Sequence, residues 1–351
     1  MKTIREEQDM PTLQLAEETI APGEAQSTNA LLALIEEVLI KENPTGIIRR
    51  DAHPKTHAAV KAEFIVEPNL PQEMRIGVFK EPKTYQAWIR FSNSADSIKP
   101  DIARDWRGMA IKLMGVPGEK ILEQEKDERT HDFILISVNM FMTKDVEGFL
   151  PLVKAMKGSR VALIWFLATH WRVVWMLYKM FFKTIRRFAN PLQIRYFSIT
   201  PYLFGPDSAV KYSAIPLFKT PDKIPETPND DYLREAIVRQ LKDGEAVFDF
   251  SVQFQADPVA MPIEDPRREW PESMSPFRKV ATIRILKQDC DSDEQMRFAE
   301  NLSFTPWHAL PEHRPLGGIN RSRKVIYEAI SKFRHEHNHA PRKEPSGWSF
   351  D

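Results

Sequence analysis

QAWIRFSNSADSIKPDIARDWRGMAIKLMGV, residues 86–116, sets two apolar runs, QAWIRFS and GMAIKLMGV, on either side of a polar loop that contains Pro100 and Asp101. Short apolar runs bounded by turn-forming residues read as neighbouring strands. The same texture extends outward. AEFIV, RIGVF and FILISVNMF complete an antiparallel β region over residues 58–140, and IRYFSI, AVKYSAI, VFDFSVQF and VATIRIL bring strands back later in the chain. The total of roughly eight or nine strands, well above an ordinary helical protein's share, predicts an α+β protein: an antiparallel β-barrel whose long connections carry helices.

The chain has 351 residues, 42% hydrophobic and 28% charged, enough for one large domain or two smaller ones. Lys+Arg and Asp+Glu each total 49, so no global charge recruits nucleic acid or an anionic membrane, and any basic patch must be local. A single cysteine, Cys290, excludes an internal disulfide, a thiolate cluster for zinc or iron–sulfur, and covalent heme attachment through CxxCH. The polar start MKTIREEQDM lacks the apolar core of a secretory signal, and a cytoplasmic setting is expected. Residues 1–29 read as a polar arm and ALLALIEEVLI, 30–40, as a helix. One main domain spans 30–336, with a helical insertion over 150–190. The tail, 337–351, is expected to be a surface extension broken by Pro and Gly.

Within that insertion, VALIWFLATHWRVVWMLYKMFFKTIRRF, 161–188, reads as one basic amphipathic helix with Arg172, Lys179, Lys183, Arg186 and Arg187 on a single stripe. His170, Arg172 and Lys179 interrupt any run long enough to span a membrane. Two roles stay open. The helix lies at a membrane interface or collars a channel for an apolar substrate, or it packs on the barrel or a second subunit and solvates its basic stripe.

Three segments hold chemistry-bearing residues. In NRSRKVIYEAISKFR, 320–334, with Asn320 as N-cap, helical spacing lines Arg323, Tyr327 and Arg334 along one side, so both guanidinium groups can reach toward the phenol. Two nearby cations lower a phenol's pKa from about 10, and a phenolate is a hard ligand for ferric iron, as in tyrosine-ligated heme. The same spacing also occurs on ordinary surface helices. RRDAHPKTHA, 49–58, offers His53 and His57 as acid–base groups near neutrality; Pro54 argues against a helical metal pair there. Arg104, Asp105 and Arg107 fit either a carboxylate-binding strand end or a turn held by ion pairs.

Taken in order, five segments resemble the heme catalase superfamily, particularly its small bacterial catalase-related members. They are RRDAHPK; IRFSNS with RDWRGMAIK; FILISVNMFMTKDVEGF; RYFSITPYLFGPDSAVKYSAIP; and LSFTPWHALPEHRPLGGINRSRKVIYEAISKFR. The resemblance covers roughly 45–335. It implies a buried heme b with Tyr327 as the axial iron ligand, Arg323 keeping that phenol ionised, and His53 as the distal catalyst oriented by Ser92. It further implies that Arg50 and Arg90 bind the heme propionates, that Arg334 supports the proximal side, and that Phe149 stacks near the heme plane. Two departures stand out. Ser331 occupies the place of a histidine in the family's proximal helix, and ISVNMFM lacks the usual asparagine pair ahead of Pro-x-Phe-Phe. Asn139 is nominated for the distal asparagine, with Ser137 on the same face of the strand.

The implied activity is catalase- or peroxidase-type decomposition of hydrogen peroxide or an organic hydroperoxide, with His53 carrying a proton between the two peroxide oxygens. A fatty-acid hydroperoxide dehydratase or lyase is the alternative enzyme; a barrel that carries heme or lipid without turnover is the alternative outside catalysis. The expected partners are a small-molecule peroxide or lipid hydroperoxide, a membrane surface at 161–188, and a second copy of the chain.

Overall fold

Nine antiparallel strands carry the fold among the described residues, which in this computed structural model are 13–43 and 46–350; the side chains of Glu42, Arg172, Lys179, Phe181 and Lys183 are also outside the description. The first twelve residues of the expected arm therefore lie outside the described residues, as do the side chains of three of the five cations placed on the basic stripe. The strands are β1 (Thr56–Val66), β2 (Thr84–Asn93), β3 (Arg107–Met114), β4 (Thr130–Ile136), β5 (Tyr196–Phe197), β6 (Tyr202–Leu203), β7 (Ala209–Leu217), β8 (Ala246–Phe254) and β9 (Arg278–Ile285). β1 pairs with both β2 and β9, the order runs on through β3, β4 and β5 on one side and β8 and β7 on the other, and β5 pairs with β7. Eight strands thus close a barrel, with β6 added on β7. Closure removes the open sheet edges that would otherwise template aggregation. The expected α+β barrel of about eight strands is the observed fold.

The barrel is filled rather than hollow. Phe64, Phe133 and Phe250 meet at its centre with ring centroids 4.8–5.9 Å apart, and Tyr212 stands 5.0 Å from Phe133. Stacked, tilted and edge-on aromatic contacts thus fill the centre alongside aliphatic side chains.

RIGVF, expected as a strand, is instead a single 3₁₀ turn, Gly77–Phe79. Its backbone passes against the buried His313, whose Nε2 accepts from the Val78 amide at 3.2 Å. Gly77 has φ +51, and a Cβ there would sit 2.3 Å from that nitrogen, so both conformation and space require glycine.

Seven helices surround the barrel among the described residues: α1 (Glu24–Glu42), α2 (Val146–Lys157), α3 (Arg160–Thr169), α4 (Trp171–Thr184), α5 (Tyr232–Asp243), α6 (Asp293–Asn301) and α7 (Gly318–His337). Leu31, Ile35 and Leu39 of α1 join Val146 of α2 and Ile326, Ile330 and Phe333 of α7 in one apolar cluster, the 3–4 spacing that sequence periodicity anticipates. The single helix expected over 161–188 is two. His170 leaves helical geometry between them (φ −113, ψ 47), its ring stacks on Phe166, and the Thr169 hydroxyl donates to the carbonyls of Trp165 and Phe166. Side chains that bond nearby carbonyls compete with the helix ladder. Arg186 and Arg187 lie past the end of α4.

The C-terminal tail is not a loose extension. The Trp88 indole donates to the Gly347 carbonyl at 3.0 Å, the Trp348 indole to the Ala87 carbonyl at 3.2 Å, and Phe350 packs between Trp88 and Phe298. Deeper in, the fully buried Lys112 ammonium lies 2.7 Å from both Asp132 and Glu344, the latter brought in by the tail. Burial alone would lower the lysine's pKa, but the two carboxylates outweigh it and raise it. Glycine and proline correctly marked the tail as irregular, but periodicity carries no sign of a strap that docks through two indoles and an ion pair. Lys112→Met would leave two buried carboxylates facing each other, and urea unfolding is expected to show a loss of about 3–5 kcal/mol.

Candidate active site

Between the barrel and α7 lies a cavity with about 880 Å³ of empty space, part of it continuous with solvent. The barrel contributes Arg90 and Ser92 from β2, Gly108, Met109 and Ala110 from β3, and Ile134 and Leu135 from β4. The chain before β1 contributes Arg50 to His53; Ser303 and Phe304 close one side; Ile326, Tyr327, Ile330, Ser331 and Arg334 come from α7.

His53 is held in a conformation that its residue type seldom adopts, with φ +61. Left-handed geometry at a non-glycine residue costs about 1–3 kcal/mol and persists where the surroundings impose it. Here the Arg90 guanidinium donates to the His53 carbonyl at 2.8 Å and to Thr56 Oγ1 at 2.5 Å, fixing the backbone from beneath. Nδ1 of the ring lies 3.0 Å from Ser92 Oγ. The ring rests on Gly108, where a Cβ would be 2.6 Å from Nδ1 and 2.7 Å from Ser92 Oγ. Burial, and then the positive charges of Arg90, Arg50 and Arg323, push the imidazole's pKa down to about 3. His53 is thus a neutral base with Nδ1 engaged and Nε2 free to act.

His57, the other histidine of the segment, is elsewhere. Its Nε2 bonds Asn93 Oδ1 at 2.7 Å in a buried group with Asp101 and Lys55. Arg107 likewise turns inward, donating to the Asp101 and Ala103 carbonyls, while Asp105 accepts from the amides of Ser94 and Ala95. Of the two roles open for this segment, the structure shows the turn held by polar contacts.

On α7 the expected triad divides. An Arg323 N–H donates to the Tyr327 oxygen at 3.2 Å, with the guanidinium carbon 5.0 Å from the ring centre, and another donates to Asn320 Oδ1 at 3.2 Å. Asn320 is not the N-cap, since the helix begins at Gly318. Its buried amide is locked by the carbonyls of Pro201 and Leu316 and by the Thr200 hydroxyl, so it anchors Arg323. Burial works against the Arg323 charge, but Tyr327 and Tyr202 outweigh it and raise its pKa.

Arg334 does not reach the phenol. Seven residues place it about 10 Å further along the axis, where it donates to the carbonyl and carboxylate of Glu300 at 2.7 and 3.2 Å. There it meets Arg50 and Arg90. Burial comes first and mutual repulsion adds to it: Arg50 and Arg334 fall to about 9 and Arg90 to about 10, with Glu300 as the carboxylate that opposes the shift in all three. Nε of Arg50 and Nε of Arg90 are buried without a hydrogen-bond partner among the described residues.

Such a cavity fits a flat, largely apolar group that carries carboxylates at one end. Met109, Ile134, Leu135, Phe304, Ile326 and Ile330 supply apolar walls, the guanidinium cluster with its unpaired donors supplies the charged end, and Tyr327 presents a hard oxygen. No group of three or more His, Cys, Asp or Glu able to hold a metal occurs among the described residues.

Two nominated residues are not brought to this cavity. β4 ends at Ile136, where the Ser137 amide makes one last ladder bond to Arg107 and its Oγ accepts from the Arg107 amide. The chain then bends, and Asn139 lines a separate cavity with Lys211, Gln253 and Trp270. The alternation that put Ser137 and Asn139 on one strand face fails because the strand has already ended. Phe149 lies on α2 against Phe141, with centroids 5.2 Å apart, and does not line the cavity. Conversely, Gly108, Ser303 and Glu300 were not singled out in the sequence. Gly108 carried a signal, since a glycine opening a strand often marks a close backbone approach; Glu300 carried none. Ser331, in the place of the family's histidine, bonds Ser303 Oγ at 2.9 Å, which in turn bonds His335 Nε2 at 2.9 Å.

An eight-stranded antiparallel barrel thus brings a histidine–serine pair and an arginine–tyrosine helix to one cavity. No family model matches the chain. It is 27% identical over 271 residues to a catalase-related peroxidase of Mycolicibacterium paratuberculosis, a match covering 72% of this chain and 78% of that protein. Among solved structures it superposes on a fungal catalase with a TM-score of 0.67 at 17% identity, covering 96% of this chain and 67% of that one. Catalase A of Saccharomyces cerevisiae gives 0.67 at 17% identity over 97% and 72%, and a bacterial catalase gives 0.65 at 15% over 97% and 67%. The chain has the catalase fold.

Imidazoles held neutral by their surroundings make the fold sensitive to acid. His53 at about 3, and His57 and His313 at about 4, all lie below the unfolded value of 6.5. Between those limits the unfolded chain binds protons that the folded chain refuses, so stability is intact above about pH 6.5 and is lost as pH falls. Thermal melts are expected to drop steadily from pH 6.5 toward pH 4; a midpoint flat across that window would contradict the burial of these rings.

Proposed function

We propose that the cavity binds heme b with the Tyr327 oxygen as the protein's ligand to iron, and that the site decomposes hydrogen peroxide or organic hydroperoxides. The observation that carries this assignment is the placement of Arg323–Tyr327 and His53–Ser92 on the two walls of one cavity whose end is lined by Arg50, Arg90 and Arg334. When bound, heme supplies the redox-active iron at which the peroxide O–O bond breaks. Arg50, Arg90 and Arg334 would hold its carboxylates, with Nε of Arg50 and of Arg90 lacking a hydrogen-bond partner among the described residues. Arg323 directs a cationic N–H at the Tyr327 oxygen, the atom that would ligate the iron, and so holds it in place.

His53 handles the proton. Its neutral ring accepts a proton at Nε2 from one peroxide oxygen and returns it to the other, while Ser92 on Nδ1 fixes ring orientation and tautomer. The strained backbone and the absent side chain at Gly108 keep the ring in that place. Asn139 and Phe149 have no part in this scheme.

A fatty-acid hydroperoxide dehydratase or lyase is the second activity that the cavity fits, for a specific reason. The described residues lining it include no asparagine to orient a small peroxide, and much of its wall is apolar.

Oxygen release from hydrogen peroxide and consumption of a fatty-acid hydroperoxide by the heme-reconstituted chain separate the two. His53→Gln is expected to lower turnover by on the order of 10²–10⁴-fold with heme binding retained. Consumption of the lipid hydroperoxide without oxygen release would favour the second activity; turnover of neither would reject both.

A further inference from the structure

α3 and α4 are apolar on two faces. Inward, Phe166 packs on Leu152 and Ala155 of α2, with Leu163, Val173 and Leu177 against the same cluster. Outward, Val161, Ile164, Trp165, Trp171, Trp175 and Phe182 are 54–75% exposed. A surface helix in a globular protein ordinarily turns a polar face to water, and large exposed apolar patches mark interaction sites.

Along the chain, the charge of this segment has one sign. Residues 148–206 contain no Asp or Glu, while Arg160, Arg172, Lys179, Lys183, Arg186 and Arg187 fall within α3, α4 and the chain just beyond. A second copy of the same face would bring like charges together, which disfavours pairing. An anionic surface would not. Tryptophan beside basic residues is the composition of segments that sit among lipid headgroups.

Length decides between lying on a bilayer and crossing it. The 10 residues of α3 and 14 of α4 span about 15 and 21 Å, short of the roughly 30 Å hydrocarbon layer. No helix among the described residues is long and apolar enough to cross a membrane. The pair is also tied to the barrel, since the Trp106 indole donates to Thr184 Oγ1 at 2.9 Å, at the end of α4 and two residues before Gly108.

We propose that α3 and α4 dock the protein on the surface of an anionic phospholipid bilayer, with their exposed tryptophans among the headgroups and the flanking cations against lipid phosphates. This docking does not depend on the chemistry assigned to the cavity.

Flotation of the full chain with vesicles of phosphatidylcholine alone, or of phosphatidylcholine mixed with phosphatidylglycerol, tests it. Binding is expected to the mixed vesicles, weakened by salt, with a blue shift of tryptophan fluorescence. Combined Trp165→Ser, Trp171→Ser and Trp175→Ser is expected to weaken binding at least about tenfold without changing the thermal midpoint. Should that variant fold poorly, Arg186→Glu with Arg187→Glu, at exposed positions beyond the helix, is expected to abolish the preference for anionic vesicles. Failure to bind either vesicle, equal binding to both, or undiminished binding by both variants would overturn the proposal. So would a wild-type dimer that the serine substitutions convert to monomer while no vesicle is bound, since the face would then cover a second copy.

Discussion

Three buried guanidinium groups, Arg50, Arg90 and Arg334, converge on one carboxylate, Glu300, and the rest of the cavity is arranged around that excess of positive charge. Burial of like charges at this density is costly unless anions or hydrogen bonds compensate. Part of the compensation is local: Arg90 bonds the His53 carbonyl, Arg50 bonds the carbonyls of Ala299 and Glu300, and Arg334 bonds Glu300 twice. The remainder is left open, as the unpaired Nε atoms of Arg50 and Arg90 show. A ligand with carboxylates at one end would complete the set.

The same cluster ties the two halves of the site together. Arg90 stands on β2 and holds the strained backbone of His53, while Arg334 stands on α7 two turns beyond Tyr327. A closed barrel gives the first half little freedom, because each strand is paired on both sides. The second half is set by α7, whose first turn is locked by Asn320 and whose apolar face packs on α1. Histidine and tyrosine therefore face one cavity through two independent anchors.

Much of this was legible in the sequence, and the reasons differ by element. Alternating apolar runs revealed the barrel because the strands have distinct inner and outer faces. Arg323 and Tyr327 were found through helical spacing, His53 through the chemistry of its segment, and Ser92, Arg50 and Arg90 only through the resemblance to the heme catalase superfamily. What escaped depended on distant contacts. His313 turns RIGVF into a tight bend, the Arg107 amide captures Ser137 as β4 ends and so carries Asn139 away, and Glu300 draws off Arg334. Periodicity has no means of reporting a partner that lies far along the chain or a strand that stops one residue early.

The central claim is that the Tyr327 oxygen, supported by Arg323, is the protein's ligand to heme iron. Absorption spectra of the heme-reconstituted chain and of Tyr327→Phe test it most directly. The account predicts a Soret band with high-spin ferric phenolate features in the unsubstituted protein, and their loss when only the phenol oxygen is removed. An unchanged spectrum in Tyr327→Phe, or no heme taken up by the unsubstituted chain, would contradict it.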